Sequence, residues 1–173
     1  MSATIIPHQQ SVDVPALNAL YAVQTPQEIL RHAISEAFVE RICVVSSFGS
    51  ESVVLLHMIA EVDPSVPVLM LNTGKLFGET LRYRDRLQAR LGLTDLRSLA
   101  PHPDDLKAAD PKGGLWQRDT DACCEIRKVL PQARAIKPFD ALITGLKKFQ
   151  TGSRQNMDMV ERDADSRFKI NPL

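Results

Sequence analysis

A doubly wound α/β sheet, mostly parallel, is the fold this sequence predicts. Short β-branched apolar runs alternate with helical patterns, small and polar turns join each run to the helix after it, and no solenoid-length repeat interrupts the order. At 173 residues and 44% apolar, the chain is the size of one domain with a core large enough to fold alone.

The elements follow in order. Residues 1–24 read as an N-terminal extension, and 25–173 as the folded unit. Thr25, Pro26 and Glu28 form a capping box, after which Ile29, Leu30, Ala33, Ile34, Ala37 and Phe38 recur at helical spacing. Ile42 to Val45 is a buried strand, and the polar turn Ser46 to Ser50 leads into ESVVLLHMIAE, apolar nearly all round and so a helix covered on most sides. The unit repeats as a strand over Pro67 to Asn72, a turn over Thr73 to Phe77 and a helix, GETLRYRDRLQARL, with a charged outer face. Asp95 to Leu99 is a further strand, and Pro101 to Gly114 a Pro- and Asp-rich stretch. A helix then carries Cys123 and Cys124, Ala141 to Thr144 forms another strand, and Met157 to Phe168 reads as a mobile hairpin. The closing FKINPL is a β-like run followed by Asn-Pro, which normally introduces another element, so more chain is expected beyond it.

Charge and composition narrow the function. Basic and acidic residues number 21 each, so no global field draws the chain to nucleic acid or an acidic membrane, and anion recognition must be local. The N-terminus has neither a basic n-region nor an apolar h-region, and no apolar run reaches membrane-spanning length, so a cytoplasmic protein is expected. Three cysteines, two of them adjacent, make no disulfide scaffold.

In a sheet of this kind ligands sit at the carboxyl ends of strands, so the turns there are the candidates. Ser46, Ser47, Phe48, Gly49, Ser50 and Glu51 join a strand to a helix N-terminus, where small residues, hydroxyls and free N–H groups suit phosphate or sulfate. The same composition also makes an ordinary serine-capped turn. It is not a Walker A loop, because Leu69 and Leu76 occupy the first glycine and the hydroxyl positions around Gly74-Lys75. Thr73, Gly74, Lys75 and Leu76 offer a hydroxyl, a flexible backbone and a cation, or merely a geometric connection. Lys147, Lys148, Gln150 and Arg154 lie on a basic loop that leaves a strand, either a clamp or a solvated run. Neighbouring cysteines diverge by about 100° on a helix, so both cannot face one core. One of Cys123 and Cys124 could simply pack as a buried free cysteine, or the pair could ligate a soft metal or cluster, with Lys128 one turn on to offset thiolate charge. His57 reads as a core or groove residue, Trp116 as packed and Cys43 as core.

The segments SSFGSESVVLLHM, NTGKLFGETLRYRDRL, LWQRDTDACCEIRKV and TGLKKFQTGSR, in this order, resemble the assimilatory sulfonucleotide reductases, and among them the adenylyl-sulfate reductases that carry a [4Fe-4S] cluster. The resemblance runs from about Gln24 to Leu173 and implies the adenine nucleotide α-hydrolase fold, related to the PP-loop ATP pyrophosphatases. It implies that Ser46 to Glu51 lie near the phosphosulfate and Thr73 to Leu76 around the adenosine. By the same carry-over Lys147, Lys148, Gln150 and Arg154 close over the phosphosulfate, Lys128 stands between cluster and substrate, and Cys123 and Cys124 are two of four cluster ligands. The reaction implied converts adenylyl sulfate to sulfite and AMP. A cysteine thiolate attacks the sulfur, AMP leaves, and thioredoxin or a similar thiol donor resolves the S-sulfocysteine.

Three departures stand out. Asn72 replaces the usual aspartate, Gly78 the usual proline, and no cysteine follows Cys124, so the family's second cysteine pair and its C-terminal nucleophile are absent from this sequence. The expectation is a nucleotide-binding portion that binds without turning over. The alternative is a non-catalytic adenine-nucleotide module whose cysteine pair is vestigial or shared across a homo-oligomer.

Overall fold

The computed structural model describes residues 13–146 and 157–173. Its centre is a six-stranded sheet in the order β3-β2-β1-β4-β6-β5, where β1 is Ile42–Val45, β2 Val68–Leu71, β3 Leu96–Leu99, β4 Ala141–Thr144, β5 Val160–Arg162 and β6 Phe168–Ile170. All neighbours are parallel except β5, which runs antiparallel to β6 at the edge. The doubly wound α/β expectation therefore holds.

Alternation along the strands sends side chains to two cores. Ile42, Val44, Val68, Met70, Ala141 and Ile143 join the larger cluster, under α2 (Pro26–His32) and α3 (Ser52–Val62). Cys43, Leu69 and Leu142 point the other way, against Ile136 and Phe139 at the end of the helix that carries the cysteines. Burial on both faces explains why these strands read as continuous apolar runs.

Local chemistry sets the helix ends. The capping box forms as expected, with the Thr25 N–H donating to Glu28 Oε2 at 2.8 Å and the Glu28 N–H to Thr25 Oγ1 at 3.4 Å. Helix α4 (Gly78–Leu91) ends at Gly92, whose φ of 69° is left-handed and suits glycine. Helix α3 is less enclosed than its composition suggested, since Val54 and His57 lie on an open stripe and His57 Nε2 faces Glu61 Oε1 at 3.5 Å. His57 is thus a groove residue beside Tyr83, Arg86 and Leu87, not a core one.

Two helices lie where the sequence showed none. Helix α1 (Val14–Tyr21) buries Leu17 and Tyr21, and Asn18 pairs with both backbone groups of Val160 at 2.8 and 2.9 Å, docking it on the β5 edge. Helix α5 (Pro103–Ala109) occupies the Pro- and Asp-rich stretch. Among the described residues no helix is long and apolar enough to cross a membrane.

Two candidate clefts at the carboxyl edge of the sheet

The sheet order changes direction between β1 and β4, and ligands of open α/β sheets collect at such switch points. The Ser46–Glu51 loop leaves β1 there. Phe48 takes φ 54° and sinks its ring into the main core at 2% exposure, so the loop is pinned by its one aromatic side chain while Ser47, Ser50 and Glu51 stay exposed. The Phe48 N–H donates to Ser46 Oγ at 3.1 Å and the Gly49 N–H to Ser47 Oγ at 3.4 Å, two serine turns that fold the loop tightly before α3 begins. Ser47, Gly49, Ser50, Glu51 and Ser52 line a cleft of about 670 Å³ together with Thr144 and Gly145. The polar residues Gln132, Asp163 and Lys169 also line it. Lys147, Lys148, Gln150 and Arg154 lie outside the described residues.

The second turn leaves the neighbouring strand β2. Gly74 takes φ 72°, which glycine tolerates. Its N–H donates to Asn72 Oδ1 at 3.2 Å and the Lys75 N–H to Thr73 Oγ1 at 3.2 Å. The amide oxygen of Asn72 accepts here as an aspartate oxygen would, so asparagine keeps the turn without a charge. Leu76 is half-buried and packs on the main core, so it anchors the turn from below.

The cysteine-bearing segment faces that turn. Helix α6 (Leu115–Arg118) and helix α7 (Thr120–Cys124) run into a π-helical turn over Glu125–Val129 and then α8 (Leu130–Ile136). Pro131 has no N–H to give the carbonyl of Arg127 four residues earlier and crowds it. The helix widens before it, and the Leu130 N–H reaches back to the Glu125 carbonyl. Ile126 and Arg127 are both turned inward.

Cys123 is 9% exposed beside Leu115 and Ile126, whereas Cys124 is exposed. Despite their divergence both line one cleft of about 720 Å³, together with Thr73, Lys75, Arg127 and Lys128. Trp116, expected to pack, is instead 51% exposed at this cleft, and Phe77 is 78% exposed beside it, because the short α6 has only Leu115 to bury. Among the described residues no three His, Cys, Asp or Glu side chains gather so as to hold a metal ion. Two soft thiols on one wall fit half of a four-thiolate set. Cys43 is fully buried mid-strand, and burial pushes its thiol up to about 12.

Two buried polar residues escaped the sequence reading as site residues. Arg127 donates through Nη1 to the Thr73 carbonyl at 2.7 Å and through Nη2 to Asp110 Oδ2 at 2.7 Å. Asp110 Oδ1 accepts the Leu115 N–H at 2.9 Å, and Lys75 Nζ reaches the Gly113 carbonyl at 3.0 Å. The Arg127 guanidinium holds the Asp110 carboxyl below the usual carboxylate range, with help from the Leu115 N–H and Lys75. No local pattern marks either contact, and only the helix that ends before Asp110 has a signal, the tract His102-Pro103-Asp104-Asp105, which is a helix start. His102 Nδ1 accepts the Asp104 N–H, Pro103 takes the first turn and two acids follow.

The chain is similar to known proteins. A protein named adenosine 5′-phosphosulfate reductase from Mesorhizobium japonicum is 48% identical over 157 residues, which cover 91% of this chain and 61% of that protein. One of the same name from Chelativorans sp. is 44% identical over 174 residues, covering 100% of this chain and 71% of that protein. The chain thus spans 61% and 71% of the lengths of these two relatives. The crystal structure of phosphoadenylyl-sulfate (PAPS) reductase from Candida auris, a phosphate complex, shares the fold at a TM-score of 0.75 and 24% identity, covering 99% of this chain and 82% of that one. Residues 41–173 match the model of the phosphoadenosine phosphosulfate reductase domain, and the chain belongs to that family.

Proposed function

We propose that this chain binds adenylyl sulfate across the two clefts, as the nucleotide-binding part of an adenylyl-sulfate reductase that yields sulfite and AMP. The observation that carries the reading is the placement of the Ser46–Glu51 loop and the Thr73–Leu76 turn on adjacent strand ends, one at the switch point and the other facing the cysteine pair.

In this reading the Ser47 and Ser50 hydroxyls and the N–H groups at the start of α3 receive the phosphosulfate, and Thr73, Gly74 and Lys75 receive the nucleoside side. Lys147, Lys148, Gln150 and Arg154 supply the cations that close over it. Donors held before the reaction stabilise the phosphate of the departing AMP, where negative charge grows as the S–O bond breaks. Cys123 and Cys124 would provide two of the four ligands of an iron–sulfur cluster, which when bound would place a charged group close to the substrate. Lys128, one turn past Cys124, offsets thiolate charge there. Thioredoxin or a similar thiol donor, a cytoplasmic setting and a homo-oligomer complete the reading.

Calorimetry on anaerobically prepared protein tests it, with AMP, ATP and the 3′-phosphorylated analogue as competitors. Micromolar binding that prefers adenylyl sulfate and weakens in Lys147→Ala with Lys148→Ala is expected. Failure to bind any of these nucleotides would sink the reading.

A further inference from the structure

The Thr73 carbonyl and the Gly74 N–H belong to one rigid peptide plane. That plane is held at both ends, its oxygen by Arg127 Nη1 at 2.7 Å and its N–H by Asn72 Oδ1 at 3.2 Å. Arg127 lies on the same helical segment as the cysteines, three residues past Cys124, inside the π-helical turn. Its other arm is fixed by Asp110, itself closed to solvent at 4% exposure. A guanidinium fork clamped this way cannot follow one wall of the cleft without moving the other. Arg127 is too buried, at 6% exposure, to serve as a surface cation for a ligand, and its Nε has no partner among the described residues.

We propose that Arg127 is a positioning residue that couples occupancy of the Thr73–Leu76 turn to the state of the Cys124 thiol. A nucleotide that shifts the 73–74 peptide plane pulls on the Arg127 fork and re-aims the helix bearing Cys124. Ligand and thiol thus sense each other through one side chain. This rests on the adenylyl-sulfate reading above.

The test follows the rate at which iodoacetamide alkylates Cys124 in the full chain, located by peptide mass, with and without saturating adenylyl sulfate. In the unsubstituted protein the nucleotide is expected to change that rate by about fivefold or more, the lower range of measured couplings between sites. Arg127→Met, at nucleotide concentrations that calorimetry shows to be saturating, should lose the change, and Arg127→Lys should restore part of it. Asp110→Asn, which keeps the shape and frees the fork, should reduce it and serves if Arg127→Met does not fold. Bound nucleotide with no change of rate in the unsubstituted protein overturns the coupling while leaving the reading intact. So does a change that persists in Arg127→Met, since that is direct shielding. Absence of nucleotide binding defeats both.

Discussion

Asp110 Oδ2 and Arg127 Nη2 meet at 2.7 Å with both side chains closed to solvent, joining the stretch after α5 to the helix that carries the cysteine pair. A buried charge keeps its place only with a partner, so each residue depends on the other.

Acid stability should report this pair. The folded Asp110 carboxyl is held below its ordinary value by Arg127 first, then by the Leu115 N–H and by Lys75. A carboxyl lowered in the folded state contributes stability that is complete above its unfolded value, near 4, and is lost as pH falls through the lower folded value. Asp110→Asn is expected to melt at lower temperature near neutral pH and to lose less on acidification than the unsubstituted chain. Parallel melting curves for the two proteins from pH 7 to pH 3 would contradict this.

Phe48 should behave as a core residue despite its place in a candidate binding loop. Its ring is 2% exposed in the main cluster, and Phe48→Ala is expected to cost about 3–5 kcal/mol in urea unfolding. A near-neutral substitution would mean that the ring faces a ligand instead.

Gly78→Pro should stabilise the chain. Gly78 is the first residue of α4, Phe77 before it is extended at ψ 146°, and a Cβ there would meet nothing nearer than Arg82 at 3.5 Å. Proline suits such a position, and restricting the unfolded chain is expected to add about 0.4–1 kcal/mol. The urea midpoint measures it, and a lower midpoint refutes it.

The thiols should separate by reactivity. Cys124 is exposed, whereas Cys43 is buried and its thiol is pushed up to about 12. Iodoacetamide at pH 8 should label Cys124 in the native protein and Cys43 only after denaturation. Because a raised thiol keeps its proton when folded, Cys43 supports stability fully below 9.0 and loses that support as pH climbs toward about 12. Native labelling of Cys43 would place it outside the core.

Strands β1 and β4 were legible residue for residue, because runs such as Ile42 to Val45 are apolar on both faces and end in polar turns. Helix α4 was legible through its charged face and the glycine that ends it. Helix α5 was not, since its prolines and aspartates read as loop composition until they are placed at a helix start. The serine loop and the Thr73 turn could be found as strand-to-helix junctions, but their anchoring could not. That Phe48 points inward and that Arg127 reaches back 54 residues to Thr73 are tertiary facts with no local pattern. Trp116 misled for the opposite reason, because a large aromatic residue on a one-turn helix has little to bury against.

Amide hydrogen exchange with and without adenylyl sulfate tests the central claim most directly, because it asks where the nucleotide is held. Slower exchange confined to peptides covering 46–52 and 73–76, with the basic segment 147–154, is the predicted result. Protection that spares those turns and appears elsewhere, for example along the α3–α4 groove around His57 and Tyr83, would contradict the account.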